Sequence, residues 1–153
     1  MEKRIIYIGA DSAGYQLKEE LKAKLTDKGY TVNDVGAYDD KSSHYPVYAR
    51  AVCEGVQKDL DGAFGVLICG TGIGMSMCAN KHNGIRAALC SDTFSARMTR
   101  VHNNANVICM GARVIGSCLA EDILFEFLGA EFEAGGRHEM RVDMMKDIEA
   151  AQK

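Results

Sequence analysis

The segment Cys69-Gly70-Thr71-Gly72-Ile73-Gly74 carries the densest chemistry in the chain: a thiol, then three glycines at alternate positions ahead of a helix predicted from Met75 to Lys81. Glycines let the backbone turn its N–H groups inward and a helix N-terminus adds positive potential, so an anion is favoured there. The same field should lower the Cys69 pKa from its free value of about 8.5, making the thiol a usable base or nucleophile near neutral pH. The plain alternative is a buried strand cysteine followed by a tight turn. Three familiar motifs fail on the residues. A dinucleotide fingerprint counted from Gly72 meets Met77 in place of its third glycine, and no Gly-Lys-Ser/Thr follows to make a Walker A loop. Met75 stands where a C-x5-R phosphatase loop needs its arginine.

A second group lies downstream. Arg100-Val101-His102-Asn103-Asn104-Ala105-Asn106 places a histidine and three amides just before a predicted strand. Histidine exchanges protons near neutral pH and asparagine can fix the hydroxyls of a polyol. A capped, solvated helix end would carry the same residues. Gly135-Gly136-Arg137-His138 precedes Arg141, so Arg137 and Arg141 stand four apart, on one helix face if the helix has begun. Two guanidinium groups there suit a phosphate, or a solvated basic turn. The histidines at 44, 82, 102 and 138 show no short ligand spacing with one another or with the cysteines at 53, 69, 78, 90, 109 and 118. Neither a zinc site nor a disulfide framework is expected, and the cysteines other than Cys69 read as buried free thiols.

These residues need elements to hold them. Short Val- and Ile-rich runs alternate with stretches of helical period, the mark of repeated βα units around a parallel sheet, α/β in class. Strands are predicted over Arg4–Gly9, Thr31–Val35, Ala63–Cys69, Ile85–Cys90 and Asn106–Met110. Leu17, Leu21 and Leu25 recur every four residues in a helix over Ala13–Lys28 that Gly29 closes. Pro46 opens a helix carrying Val52 and Val56; Leu119, Ile123 and Phe127 mark another. Arg141–Ala151 is the terminal helix, with Met144, Met145 and Ile148 on one side. Ligands in open parallel sheets bind at the carboxyl ends of the strands. There the chain is small and polar: Asp11-Ser12, Gly36 to Tyr45, Cys69 to Gly74, and Ser91-Asp92.

The 153 residues, 47% hydrophobic and 25% charged, contain no Ser/Gly-rich linker or repeat, so one domain over 1–153 is expected. A formal net charge of −3 argues against broad nucleic-acid binding. After Met1-Glu2-Lys3-Arg4 only Ile5 to Gly9 are apolar before Asp11, too short for a leader or a membrane span. A cytoplasmic chain that touches no membrane is the expectation.

Several segments in order carry a resemblance: Gly9-Ala10-Asp11, Cys69 to Gly74, Ala79-Asn80-Lys81, Gly84-Ile85-Arg86-Ala87, His102-Asn103, Gly111-Ala112-Arg113-Val114-Ile115-Gly116, and Gly135-Gly136-Arg137-His138 with Arg141-Val142. Over nearly its whole length the chain resembles the type B ribose-5-phosphate isomerases and the related galactose-6-phosphate isomerase subunits. The resemblance implies a Rossmann-like three-layer α/β/α sandwich with a five-stranded parallel sheet. It also implies a phosphorylated sugar as substrate, no metal or other cofactor, and a homodimer or dimer of dimers with the active site at the interface. In that scheme His102 assists opening of the sugar ring and Cys69 moves a proton between C1 and C2 through a cis-enediolate. Thr71 and the N–H groups of Gly70, Gly72, Ile73 and Gly74 stabilise the charge. Asp11 and Asn103 hold hydroxyls, Tyr45 lies beside the sugar, and Arg113, Arg137 and Arg141 bind the phosphate, part of that set coming from the partner subunit.

Some members use a glutamate base where Met75 stands, so Cys69 marks this chain as the cysteine-base type. Three departures stand out. Ser12 replaces a histidine that contacts the substrate near its phosphate end, serving as a helix N-cap or making room for a longer sugar. His44-Tyr45-Pro46 replaces Asp-Tyr-Pro, which offers His44 as the substitute imidazole, and Glu133-Ala134-Gly135 is one residue longer than usual. The expected reaction interconverts ribose 5-phosphate and ribulose 5-phosphate. Its rivals are the same reaction on allose or galactose 6-phosphate, a noncatalytic sugar-phosphate-binding subunit, and an enzyme whose thiol forms a covalent adduct.

Overall fold

The structure is a computed structural model that describes residues 3–152; Met1, Glu2 and Lys153 lie outside it, and with them part of the N-terminal reading above. Strands β1 (Ile5–Ala10), β2 (Val32–Asp34), β3 (Ala63–Cys69), β4 (Ala87–Leu89) and β5 (Val107–Gly111) form one parallel sheet in the order β2-β1-β3-β5-β4. Helices α1 (Tyr15–Asp27), α4 (Thr93–Asn103) and α5 (Ser117–Gly129) cover one face. There Leu17, Leu21, Leu25, Ala96, Ile123 and Phe127 pack around Ile6, Ile8, Ile68 and Ile108. Helices α2 (Tyr45–Gln57) and α3 (Ile73–Ala79) cover the other, with Val52, Val56, Met75 and Ala79 against Leu67, Val107 and Cys109. The three layers are those the resemblance implies. Central β3 is buried at every residue, which is why it reads as an unbroken apolar run and not as an alternating one.

The edge strands β2 and β4 are three residues each, shorter than predicted. Each pairs on one side only, so its ladder stops where that single partner's register runs out. Helix α1 ends at Asp27 and Gly29 follows at φ +85°, the left-handed turn expected of it. Ser12 is not the cap of that helix: Gly14 holds the N-cap position, and the Ser12 N–H donates to Ser43 Oγ at 3.0 Å. Lys18, on the core side of α1, is fully buried and answered at the end of β2 by Asp34, whose two carboxylate oxygens it reaches at 2.7 and 2.6 Å. Burial works to raise the Asp34 pKa, and the hydrogen bonds from Lys18 and Lys22 outweigh it and lower it.

Helix α3 starts at Ile73, two residues ahead of the prediction, because Gly72 at φ +78° turns the chain into the helix at once. Helix α6 (Arg137–Ala151) starts four residues early, directly after Gly136. It packs on α4 through His138 and Val142 and leaves Met140, Met144 and Ile148 exposed along one side. All six cysteines are free thiols; Cys118, expected inside, is exposed in the first turn of α5, and Cys78 is half-buried. No helix among the described residues is long and apolar enough to cross a membrane.

Candidate active site

The carboxyl ends of β1 and β3 lie side by side, the Asp11 N–H donating to the Ile68 carbonyl at 3.3 Å. Cys69 closes β3 with its side chain almost buried, 5% exposed, and the Gly72 N–H donates to its Sγ at 3.1 Å. That geometry requires glycine at 72. Besides its positive φ, a Cβ there would lie 2.9 Å from the carbonyl carbon of Met110. Thr71 is exposed at the turn, and its Oγ1 accepts the Ile73 N–H at 3.2 Å. Arg113, just past β5, donates its N–H to the Gly70 carbonyl at 3.0 Å and lays its guanidinium beside Gly70. Tyr45, in the first turn of α2, covers Gly74 from the other side. Asp11 Oδ1 accepts the Gly14 N–H at 3.1 Å. Ser12 is tied to Ser43, next to the exposed His44 that precedes α2. Met75, at the position of the alternative glutamate base, is fully buried with Leu67 and Cys109 and faces no crevice.

His102 and Asn103 are elsewhere. They end α4, which runs back against the strand direction and finishes before β5 begins at Val107. Cys69 is in register with Gly111, the last residue of β5. The four strand steps of β5 alone therefore put roughly 13 Å of sheet between the two groups. His102 meets α6 instead, its ring stacked on that of His138 at 4.1 Å between centroids and 11° between planes. His138 Nε2 lies 3.6 Å from the Glu133 carboxylate. Partial burial, with the neighbouring His102 and Arg137, pushes the His138 pKa down, and Glu133 pulls the other way. Arg137 and Arg141 both belong to α6, one turn apart and exposed.

The residues named from sequence thus fall into two sets within one chain: Asp11, Ser12, Tyr45, Cys69, Gly70 to Gly74 and Arg113 at one end of the sheet, and His102, Asn103, Arg137 and Arg141 at the other. Three neighbours had no role in the sequence reading: Ser43, Glu133 and His138. His138 was visible as the last letter of Gly-Gly-Arg-His, but its stacking depends on α6 starting early. Ligand atoms of His102, Glu133 and His138 come within 4.8 Å of one another, a clustering their spacing in sequence did not announce. The imidazoles nonetheless lie nearly parallel, so their in-plane lone pairs run alongside each other and do not converge on one ion as tetrahedral coordination requires.

A family model described as Ribose/Galactose Isomerase matches residues 6–145. Ribose-5-phosphate isomerase B of Escherichia coli is 45% identical over 145 residues, 94% of this chain and 95% of that protein. D-erythrulose-4-phosphate isomerase of Pectobacterium atrosepticum is 50% identical over 133 residues, 86% of each chain. The structure of ribose-5-phosphate isomerase B from Mycoplasma genitalium with bound ribulose-5-phosphate superposes with a TM-score of 0.93 at 38% identity, covering 98% of this chain and 99% of that one.

Proposed function

The chain belongs to the ribose/galactose isomerase family and is a sugar-phosphate aldose–ketose isomerase, and we propose that it interconverts ribose 5-phosphate and ribulose 5-phosphate with Cys69 as the base. The observation that carries this is the turn after β3, where the Gly72 N–H meets the Cys69 sulfur and the left-handed Gly72 leads straight into the start of α3. The Cys69 thiolate takes the C2 proton of the open-chain aldose. The electrons flow toward C1, and the resulting cis-enediolate lies against Thr71 and the loop N–H groups. Transfer of the hydroxyl proton from O2 to O1 and return of the carbon-bound proton to C1 give the ketose. The step moves protons only, and we assign it no metal or other cofactor.

The remaining groups come from a second copy of the chain, because His102 and Asn103 stand at the far end of their own sheet. In a homodimer, or a dimer of dimers, the partner subunit's His102 opens the sugar ring and the partner subunit's Asn103 holds a hydroxyl. Arg113 and the partner subunit's Arg137 and Arg141 take the phosphate as bidentate donors. The exposed stripe of Met140, Met144 and Ile148 is surface that such a partner would cover. His44 is assigned the role of the imidazole absent at Ser12, from its place beside the Ser12–Ser43 contact.

A second reading has its own observation: the 50% identity to an enzyme named for a four-carbon substrate. Erythrose 4-phosphate has its C4 oxygen esterified and cannot close a five-membered ring, so it needs no ring opening. The test follows proton NMR in D2O with ribose 5-phosphate, D-erythrulose 4-phosphate, allose 6-phosphate and galactose 6-phosphate, comparing wild type with Cys69→Ala, His102→Ala and His44→Ala. Isomerisation with deuterium incorporation, abolished by Cys69→Ala, is the expected result. A pentose substrate loses rate in His102→Ala, whereas a tetrose substrate is spared. An unchanged KM in His44→Ala removes His44 from the assignment. Turnover that survives Cys69→Ala, or a covalent sugar adduct in the intact mass, would overturn the mechanism.

A further inference from the structure

A cavity of about 780 Å³ opens at the amino-terminal end of the sheet, opposite Cys69, between the starts of β1 and β4, the end of α4 and the segment after α5. This is within the size range of small-molecule pockets, roughly 300–1,000 Å³. Arg4, Arg86 and Arg100 all line it. Arg100 is 2% exposed; its Nη1 donates to Asn104 Oδ1 at 2.9 Å and to the Ala105 carbonyl at 2.6 Å, while its Nε is buried with no hydrogen-bond partner among the described residues. Arg4 and Arg100 both lie on the Phe64 ring, their guanidinium carbons 4.3 and 4.6 Å from its centre. Arg86 Nε donates to the carbonyls of Asn103 at 3.2 Å and Asn104 at 3.0 Å.

Among the described residues none of these three arginines forms a salt bridge. Asp61, Glu131 and Glu149 line the same cavity, as do Lys3 and Lys146; the Glu149 carboxylate accepts the Gly84 N–H at 3.0 and 3.1 Å, and Glu131 acts on Arg100 only at longer range. Burial, with repulsion from Arg4 and Arg86 and against the pull of Glu131, brings the Arg100 pKa down to about 10, so its guanidinium stays charged at neutral pH. Five cationic side chains, Lys3, Arg4, Arg86, Arg100 and Lys146, face three carboxylates there, and the excess of positive charge favours an anion as occupant. Guanidinium groups match phosphate oxygens, and the donors left after these contacts are the Arg4 guanidinium and the outer nitrogens of Arg86 and Arg100.

We propose that this cavity binds the phosphate group of a phosphorylated small molecule, at a site separate from the isomerase crevice. Because Arg86 and Arg100 also hold the carbonyls of Asn103, Asn104 and Ala105, the occupant bears directly on the turn that follows His102.

The test titrates inorganic phosphate into the full chain labelled with 15N-arginine and follows the arginine Nε–Hε signals. Saturable shifts at Arg86 and Arg100 are expected. They persist in Arg137→Gln, where the phosphate grip of the isomerase site is cut, and weaken at least about tenfold in Arg4→Gln, the loss of one charge-assisted contact. Arg4 is partly exposed and rests on Phe64, so the variant is expected to fold, with its melting curve as the check. Lys146→Gln, on the exposed rim of the same cavity, serves as a second variant and weakens binding in the same direction. Absence of a saturable shift at Arg86 and Arg100, or shifts that disappear in Arg137→Gln, would overturn the proposal: the cations would then only brace the end of α4. Neither result depends on which sugar the enzyme isomerises.

Discussion

The chain has four thiols in its interior, and what separates them is the atom each one faces. Burial pushes Cys53 up to about 12 and Cys90 up to about 11, and carries Cys109 well above its usual value, so these three remain protonated packing groups. Cys69 alone stands at a strand end with a backbone N–H on its sulfur. That distinction was legible in sequence, since a thiol followed by alternate glycines is a local pattern. His138 was not legible in the same way, because its meaning comes from the ring it stacks on. Its depressed pKa has a consequence for stability. The folded chain holds His138 neutral more strongly than the unfolded chain does, so this contribution is complete above about pH 6.5 and is lost as the pH falls through the lower folded value. His138→Gln is expected to flatten the fall in melting temperature on acidification, measured by calorimetry from neutral to mildly acidic pH; a slope equal to wild type would assign the acid sensitivity elsewhere. Arg100 likewise sat in view within the segment leading to His102, yet nothing local in the sequence marks its Nε as unanswered.

Among the elements, interior strands were read more accurately than edges or helix starts. Strand β3 matches its predicted bounds because seven buried residues leave no other reading, whereas β2 and β4 are cut short by neighbours that only the fold supplies. The early start of α6 comes from Gly136 and not from apolar spacing, and it is what places Arg137 and Arg141 on one face. Helix α1 holds a feature that the leucine spacing does not announce, since Lys18 falls on the leucine side and is buried there. Its ammonium ties α1 to Asp34, and Asp34 in turn accepts the Gly36 N–H just before the loop to α2. Lys18→Met leaves the carboxylate with Lys22 alone. It is expected to cost roughly 2–3 kcal/mol, under the usual 3–5 for a broken buried pair because Lys22 still answers the charge. In thermal denaturation that is a drop of about 5–10 °C. An unchanged melting temperature would show that α1 is held by its leucines and that the ion pair contributes nothing net.

At the scale of the whole molecule, the parallel α/β class followed from the alternation of elements and the three layers from the resemblance, but the separation of the two residue sets followed from direction. A helix that returns along a parallel sheet must deliver its last turn to the opposite end from its first, so the Cys69 end and the His102 end of one chain face away from each other. Residue types and spacing carry no such vector. If each working site draws one end from either copy, then defects at the two ends are not equivalent to one defect twice over. Chains carrying Cys69→Ala and chains carrying His102→Ala, each inactive on ribose 5-phosphate alone, are expected to recover about a quarter of wild-type activity after being unfolded and refolded together. Half of the randomly formed pairs are mixed, and each mixed pair holds one site with both groups intact beside one lacking both. No recovery in refolded mixtures whose mixed pairs are confirmed by mass would place both groups in a single chain's site. In genetic terms, two broken alleles of this one gene would repair each other, and a lesion at either end would behave as if it belonged to a different gene.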